Sequence, residues 1–380
     1  MEAIMKYDVI VVGAGSMGMA AGYFLAKKGQ RVLLIDAFDP PHTSGSHHGE
    51  TRIIRYAYGE GEEYVPLALR AKELWEELEK ESGRSFFLKT GVLSVGEETS
   101  SFIQTVISSA KTYSLPLEVL NAVEIHTRFP GITVPDSFIG CFEPTSGVLK
   151  CEDAIRTYKE FALKYGAELL TNHPVKGIKV TEDSVKVHTG DNVYEGKRLV
   201  LSAGAWSKEL LAKLGLNLPA TPIRKTFAWF EVDEKFYGEG KFPAFSFDTK
   251  SGMYYGFPSI DGAGLKLGRH DGIQQAQNPN EEMAPFNDGD RAELENLLRS
   301  YMPQVGKLKF GKTCMYTMTP DENFIIDTHP LYKNVVFAAG FSGHGFKFSS
   351  AVGEVISDLL TTGKAPYDLS LFSASRWEVE

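Results

Sequence analysis

A glycine-rich turn between two short apolar runs constrains the fold of this chain more than any other part of its sequence. The first run, residues 9–12, is short and β-branched, as expected of a buried parallel strand. The turn GAGSMG follows, and then a helical segment that ends at Gly29. The second run, residues 32–35, leads directly into Asp36. This order of strand, turn, helix, strand and acidic residue predicts a βαβ unit that binds a dinucleotide.

Each part of this unit has a chemical role. Gly13 allows the tight turn, Gly15 lets the backbone approach a pyrophosphate, and Gly18 lets helix and strand pack closely. The helix N-terminus carries roughly half a positive charge and faces the phosphates. Asp36 can accept a hydrogen bond from a ribose 2′-hydroxyl and would repel the 2′-phosphate of NADP. The motif does not distinguish FAD from NAD. The predicted cofactor-binding residues of this unit are Gly13, Gly15, Ser16, Met17, Gly18 and Asp36.

Length, charge and cysteine content exclude several classes of protein. The chain has 380 residues, enough for two domains, and its net charge of −9 argues against a nucleic-acid partner. Its three cysteines form no CxxC motif and cannot all pair, so we predict a reduced, cytoplasmic protein. Residues 9–26 are uncharged like a membrane span, but they contain several glycines and lack a basic region before them. We therefore predict no membrane association.

The rest of the chain alternates between two kinds of segment. Segments with helical periodicity or buried-strand character extend the nucleotide-binding unit: residues 66–82, 151–165, 185–203 and 334–360. Residues 86–139 mix short strand and turn signals, and residues 222–319 carry aromatic-rich alternation typical of antiparallel strands. We predict an α/β fold of two domains. A discontinuous Rossmann-like domain over 1–85, 149–218 and 321–380 is interleaved with a mostly antiparallel β-sheet substrate domain over 86–148 and 219–320.

Three later segments place polar side chains where chemistry is possible. In GLKLGRH, a strand would put Lys266 and His270 on one face, as an active-site wall or as a solvated strand face. In TCMYT, Cys314 and Tyr316 share a face, although a lone cysteine is most often a small buried hydrophobe. GFSGHGFKFSS contains a predicted helix start, whose amide groups could bind an anion. The alternative is a turn that serves only packing, with a solvated lysine. The candidates there are Gly343, Gly345 and Lys347.

The segment GSHHGETRIIRY concentrates histidines and arginines. His47 and His48 are adjacent and point apart on a strand or a helix, and no HExxH spacing is present, so we predict no metal site. Arg52 and Arg55 suit a carboxylate or a phosphate, because guanidinium groups form bidentate charge-assisted hydrogen bonds. The alternative is surface pairing with the following acidic residues, Glu60, Glu62 and Glu63.

Together these motifs resemble the monomeric sarcosine oxidase and N-methyltryptophan oxidase group of amine-oxidising flavoenzymes. The resemblance covers essentially the whole chain, from VIVVGAGSMG through FDPPHTSGSHHGETRIIRYAYGEG, YYGFP, LKLGRH, CMYT and DENFIID to GFSGHGFKFSS. It implies a flavin oxidase that demethylates N-methyl amino acids, turning sarcosine, oxygen and water into glycine, formaldehyde and hydrogen peroxide. It further implies FAD attached covalently through a thioether to Cys314, a small N-methyl amino acid and oxygen as partners, and a monomer.

The resemblance also implies roles for single residues. The carboxylate clamp falls on Arg55 and Lys347, and Lys266 matches the basic residue over the flavin, where oxygen is reduced. Other matching pocket and near-flavin residues are His48, Thr51, Arg52, Tyr255, His270 and Tyr316. Ser246 departs from the sarcosine type, which carries Met there, and a smaller side chain leaves N-methyl-L-tryptophan or another secondary amino acid as alternatives. An NAD-linked dehydrogenase would use the same first motif but gives no role to Cys314, and a non-enzymatic module would not need these cations.

Overall fold

The computed structural model of the chain describes residues 6–272 and 275–377 as nineteen β-strands and nine α-helices. The strands are β1 (Lys6–Val12), β2 (Val32–Ile35), β3 (Thr51–Ile54), β4 (Phe87–Leu88), β5 (Val92–Glu97), β6 (Glu118–Asn121), β7 (Phe138–Glu143), β8 (Gly147–Lys150), β9 (Glu168–Leu170), β10 (Gly177–Val180), β11 (Val185–Thr189), β12 (Asn192–Leu201), β13 (Thr221–Phe230), β14 (Ala244–Thr249), β15 (Gly252–Phe257), β16 (Leu265–Arg269), β17 (Leu308–Met318), β18 (Ile325–Thr328) and β19 (Val335–Ala339). The helices are α1 (Ser16–Lys27), α2 (Val65–Ser82), α3 (Ser101–Thr112), α4 (Ala122–Arg128), α5 (Cys151–Lys164), α6 (Ser207–Ala212), α7 (Glu234–Tyr237), α8 (Asp288–Tyr301) and α9 (Ser349–Thr362).

The first sheet is built around β1, the strand that leads into the glycine turn. β1 pairs in parallel with β2 on one side and with β12 on the other, in the order β10–β11–β12–β1–β2–β9, and β19 joins β12 and β18. Val9 and Val11 pack into a core formed with α1, α2, α5 and α9, whereas Ile10 and Val12 pack into a second core. Successive strand side chains point to opposite faces, and both faces are covered, so the run contains no polar residue.

The second sheet is mostly antiparallel, with the order β17–β13–β16–β15–β14–β5–β7–β6. Its one parallel pair among the described strands joins β14 to β5. One face packs on apolar residues of α4 and α8, including Ile125 and Leu294. A third, small sheet consists of β3, β8 and β4, and Ile53 of β3 packs in one cluster with apolar residues of the second sheet, including Val92 and Phe257. The strands that carry Ser246, Tyr255, Lys266 and Cys314 are all strands of the second sheet.

Most predicted elements are confirmed, including the helices now numbered α2 and α5, the strand pair β11 and β12, and the final helix α9 with its left-handed cap at Gly363. The region 86–139 was predicted as short strands and turns, and this was wrong in part because it contains α3 and α4. The apolar face of α3 has helical spacing at Ile103, Val106 and Ala110, and the Ser100 hydroxyl caps the helix by accepting a hydrogen bond from the amide of Ile103.

The division into two domains stays a prediction. The strands of the first sheet fall within residues 1–85, 149–218 and 321–380, and those of the second within 86–148 and 219–320. The third sheet draws strands from both sets. No helix in the described part of the chain combines the length and the apolar character needed to cross a membrane.

Candidate active site

A cavity of about 560 Å³ lies at the carboxyl ends of β1 and β2, and we call it the cofactor cavity. This is where a doubly wound sheet binds its ligand. Most of the predicted cofactor residues line it, namely Gly13, Gly15, Ser16, Met17, Asp36, Gly343 and Gly345. Gly18 lies behind the turn rather than on the wall, in agreement with a packing role. Arg52 and Tyr316, predicted as near-flavin residues, also reach the cofactor cavity.

The residues of the cofactor cavity fit an adenine dinucleotide. Gly13 has a positive φ of 89°, and a Cβ on Gly18 would lie 1.9 Å from the carbonyl oxygen of Gly13, so the turn needs glycine at both positions. Helix α1 has no capping side chain and no acidic residue in its first turn, which leaves its amide groups free for phosphate. The Asp36 carboxylate accepts hydrogen bonds from the amides of Ala14 (2.7 Å) and Phe38 (2.9 Å) and keeps lone pairs for a ribose hydroxyl.

The two adjacent histidines do point apart. His47 lines the cofactor cavity, and its Nε2 accepts a hydrogen bond from the amide of His42 at 3.2 Å. The ring of His48 lies 5.9 Å from that of Phe227. Burial lowers the pKa of His47 to about 3 and that of His48 to about 4, so both rings are neutral at physiological pH. Within residues 6–272 and 275–377, no group of three or more His, Cys, Asp or Glu side chains is arranged to hold a metal ion.

Arg52 is held by its own loop rather than by an acidic partner. Its guanidinium donates to the carbonyl oxygens of Thr51, Ser46 and His48, each at 2.8 Å. The alternative of surface pairing with a downstream glutamate is therefore wrong for Arg52. Arg52 closes the turn that precedes β3 and presents its positive charge to the cofactor cavity.

Arg55 is buried and pairs with Glu60, the partner that the surface alternative predicted, and the Glu60 side chain remains 28% exposed, so only the arginine lies inside the protein. One terminal nitrogen of Arg55, Nη2, donates to Glu60, and the other, Nη1, donates to the Ser246 hydroxyl at 3.4 Å. Its Nε is buried and has no hydrogen-bond partner among the described residues. Burial alone would raise the pKa of Glu60, yet Arg55, helped by His344 and Lys347, lowers it to about 2.

Lys347 approaches the same place from the turn before α9. Its ammonium donates to the carbonyl oxygen of His344 (2.8 Å) and to the Tyr58 hydroxyl (3.2 Å). The Tyr58 ring lies 5.1 Å from this ammonium and 5.3 Å from the Arg55 guanidinium, so both cations contact one aromatic side chain. Burial, and then the charge of Arg55, lowers the pKa of Lys347 to about 7.

The sequence analysis missed Tyr58 and His344 as parts of this cluster. The Tyr58 hydroxyl lies 2.6 Å from Nδ1 of His344, whose Nε2 lies 3.1 Å from the carbonyl oxygen of Glu322. A carbonyl can only accept, so Nε2 carries the proton and Nδ1 accepts from Tyr58. His344 precedes Lys347 by three residues at a helix start, and this spacing could have indicated a shared environment.

Lys266 is almost fully buried and does not line the cofactor cavity. Its ammonium donates to the carbonyl oxygens of Gly49 and Thr51 and to the Thr51 hydroxyl. The rings of Phe227 and Phe257 lie 4.7 Å away. Burial, followed by the charge of Arg52, lowers the pKa of Lys266 to about 7. The predicted strand face of Lys266 is thus an interior wall and not a solvated surface.

Tyr316, Tyr255 and His270 form a group beside the cofactor cavity. The two tyrosine hydroxyls are 3.3 Å apart, and the His270 ring lies 5.8 Å from that of Tyr316. Gly343, with φ of 81°, leaves room for Tyr316, because a Cβ there would lie 2.1 Å from its ring. Burial lowers the pKa of His270 to about 4 and raises that of Tyr255 to about 12, so both groups are neutral.

Cys314 faces the same side of β17 as Tyr316, as predicted, and lies opposite Lys225 of β13. It is buried and free, like Cys141 and Cys151. Burial raises the pKa of its thiol, although Arg52 and Lys266 oppose this shift. It does not line the cofactor cavity, yet Tyr316, two residues further along β17, does.

Comparison with known proteins defines the class first. The sequence profile of the FAD dependent oxidoreductase family matches residues 8–359. The chain therefore belongs to the FAD-dependent oxidoreductases, which confirms the predicted FAD and the predicted α/β fold.

Two curated relatives define the group within that family. The chain is 53% identical over 375 residues to a monomeric sarcosine oxidase of Bacillus sp. (strain B-0618), covering 97% of this chain and 96% of that protein. It is 44% identical over 378 residues to an N-methyl-L-tryptophan oxidase of Escherichia coli, covering 98% and 100%. The resemblance to this group is thereby confirmed.

Among solved structures, NikD, an unusual amino acid oxidase essential for nikkomycin biosynthesis, matches with a TM-score of 0.86 over 97% of both chains. Its identity of 24% supports the fold alone.

Proposed function

We propose that this protein is a flavin-dependent oxidase that demethylates sarcosine, producing glycine, formaldehyde and hydrogen peroxide. The observation that carries the proposal is the unpaired Nε of Arg55, a buried donor that finds no acceptor in residues 6–272 and 275–377. A buried polar donor without a partner costs about 1–3 kcal/mol, which a ligand acceptor would recover. The relatives named sarcosine oxidase and N-methyl-L-tryptophan oxidase support an N-methyl amino acid as that ligand.

Arg55 and Lys347 together suit a carboxylate. Lys347 uses two of its three N–H donors on described protein groups, so one donor is free. Glu60 already supplies a carboxylate to Arg55, and it acts as an internal stand-in for the substrate group. A bound substrate carboxylate would therefore share or displace the pairing of Glu60 with Arg55.

The bound flavin supplies a two-electron acceptor for the substrate amine and passes these electrons to oxygen. The protein residues bind the amino acid and polarise the reacting groups. Arg55 and Lys347 orient the amino acid, and their charges disfavour the ammonium form, so the amine binds neutral. His270 is neutral and therefore adds no charge beside the amine. Lys266, in its protonated form, offers a positive charge where oxygen gains negative charge.

The test of the overall function is a peroxide assay with sarcosine and with N-methyl-L-tryptophan. We expect sarcosine to be the better substrate, with N-methyl-L-tryptophan as the alternative, because the 53% relative is a sarcosine oxidase. Ser246 would control the width of the substrate pocket, because it is buried and its hydroxyl lies within hydrogen-bond distance of Arg55 and of Ser94. Ser246→Met should shift the ratio of specificity constants toward sarcosine, with Ser94→Ala as a control that changes little volume. Peroxide from neither amine would contradict the proposal.

The covalent bond to Cys314 is also part of this proposal. It is supported by the CMYT motif and by the position of Cys314 beside Arg52 and Lys266, whose charges favour a thiolate. Acid precipitation of the wild type should leave yellow colour in the pellet, and Cys314→Ser should release it. Cys151→Ser is the matched control, since Cys151 is equally buried and free. Flavin that washes out of the wild type would show that attachment is not covalent.

We further infer a monomer in the reducing cytoplasm. The monomeric description of the sarcosine oxidase relatives and the three free cysteines support this. Light scattering of the purified protein across a range of concentrations tests the oligomeric state.

A further inference from the structure

A second cavity, of about 470 Å³, ends at Lys266, and we call it the Lys266 cavity. Its rim carries the exposed side chains of Glu50, Asp153 and Asp261, so it opens to solvent. Its inner end is formed by Lys266 itself, which is only 2% exposed. A small molecule could therefore approach this buried lysine directly from the surface.

The Lys266 cavity is separate from the cofactor cavity. Thr51 lines the Lys266 cavity and Arg52 lines the cofactor cavity, although the two residues are adjacent in β3. Successive side chains of a strand point to opposite sides, so β3 forms part of the wall between the two cavities. Arg55 and Lys347 line neither of them. A molecule that reaches Lys266 by this route does not pass the carboxylate clamp.

The lining of the Lys266 cavity does not suit an amino acid or another anion. Its charged side chains are already paired: Lys150 with Asp261 (2.8 Å), Lys312 with Glu50 (3.2 Å) and Arg156 with Asp153 (2.8 Å). Glu152 accepts from the amides of Gly49 and Glu50. The Lys266 ammonium has three acceptors for its three donors. The described lining therefore leaves no unpaired positive charge to hold a carboxylate.

Its inner wall is apolar and suits a small neutral molecule. Trp229 and Phe257 line the Lys266 cavity, and their rings lie 5.5 and 4.7 Å from the Lys266 ammonium. Ile260 and Ala263 complete this apolar surface. An apolar molecule gains free energy on leaving water for such a surface.

We propose that the Lys266 cavity is the access route of dioxygen to Lys266. This inference rests on the proposed function, in which Lys266 assists oxygen reduction. There, dioxygen takes two electrons from the reduced flavin and two protons, and leaves as hydrogen peroxide. Dioxygen would thus reach Lys266 without passing Arg55 and Lys347, which do not line this cavity.

The test narrows the route without touching Lys266. Ala263 is half-buried on the wall, and Ala263→Phe would fill the inner end, whereas Ala263→Ser is the matched control of nearly unchanged volume. The flavin is reduced photochemically, without substrate, and mixed with oxygen in a stopped-flow instrument. Reoxidation should slow at least about tenfold in Ala263→Phe and stay within about twofold in Ala263→Ser. Anaerobic reduction by sarcosine should stay within about twofold in both variants.

Unchanged reoxidation in a folded Ala263→Phe variant would overturn the proposal, as would equal slowing of both half-reactions. If Ala263→Phe does not fold, Ile260→Trp blocks the same wall and gives the same test. Failure of the proposed function looks different: N-methyl amino acids would not reduce the flavin at all. Photochemical reduction would still allow the oxygen measurement in that case.

Discussion

The protonation of Lys347 should control how tightly the enzyme holds a carboxylate. An exposed lysine has a pKa of about 10.4. Burial, and then the charge of Arg55, lowers the pKa of Lys347 to about 7. The ammonium is therefore present below about pH 7 and is lost as the pH rises through this value. Because only the charged form attracts a carboxylate, ligand binding should weaken at alkaline pH.

The magnitude follows from the burial of the pair. Two unit charges about 4 Å apart attract by about 4 kcal/mol at an effective dielectric constant of about 20. Truncating one partner of a buried charge pair costs about 2–5 kcal/mol. With about 1.4 kcal/mol for each factor of ten, Lys347→Met should weaken carboxylate binding at about pH 6 by at least about 30-fold. In the wild type, the dissociation constant should rise about tenfold per pH unit above pH 7, because binding then requires proton uptake.

Methoxyacetate is a suitable ligand, since it has the shape of sarcosine but an oxygen in place of the reactive nitrogen. Its binding can be followed by the change in the flavin spectrum from about pH 6 to about pH 9, where a lysine of normal pKa would not titrate. Methoxyacetamide, which has no charge, should show no such dependence. Lys266→Met is the matched control, because Lys266 is also buried and its pKa is also about 7.

The expected pattern is specific. The rise of the methoxyacetate dissociation constant with pH should persist in Lys266→Met and vanish in Lys347→Met. If the pH dependence of the dissociation constant survives in Lys347→Met, another group titrates. If it vanishes in Lys266→Met, the carboxylate binds at Lys266 and not at Lys347. A wild type whose affinity does not change with pH would refute the shifted pKa of Lys347.

Two further predictions concern Glu60 and the glycine turn. Glu60→Gln removes the internal carboxylate that competes for Arg55, so methoxyacetate should bind several-fold more tightly, and weaker binding would mean that Glu60 only positions Arg55. Gly18→Ala forces a Cβ to within 1.9 Å of the Gly13 carbonyl oxygen, so the purified protein should contain at least about tenfold less flavin. Gly177→Ala is the control, since its Cβ would meet only His188 at 4.0 Å, and normal flavin content in Gly18→Ala would contradict the assigned packing role.

Local sequence signals predicted the parts of the fold that depend on neighbouring residues. The glycine turn, the buried strands around it and helices such as α2 and α9 follow from periodicity and from the steric needs of glycine. Helices α3 and α4 were missed because their apolar spacing is short and surrounded by turn residues. Only the resemblance to known enzymes predicted that Arg55 and Lys347, which are distant in the sequence, form one carboxylate clamp.

Most partners of the buried charges could not be predicted from the sequence. The segment RYAYGEGEE shows Arg55 close to three acidic residues, Glu60, Glu62 and Glu63, and the sequence alone does not select among them. Tertiary packing buries the guanidinium of Arg55 against Tyr58, Phe102 and the strand that carries Ser246, and it leaves Glu60 as the acidic partner. Arg52, of the same type and three residues earlier, is held by carbonyl groups instead.

Lys266 and Lys347 show why hydrogen-bond partners, more than charge, separate the roles of these cations. Both lysines are buried, and the pKa of each is lowered to about 7. Lys266 donates to three acceptors and so offers a developing anion its charge but no free donor. Lys347 donates to two acceptors of the described residues and keeps one N–H, and both it and Arg55, whose Nε is unpaired there, contact the Tyr58 ring. A carboxylate needs directed donors and is therefore expected at Lys347, whereas a small neutral molecule that becomes charged during reaction needs only the nearby field and is expected at Lys266.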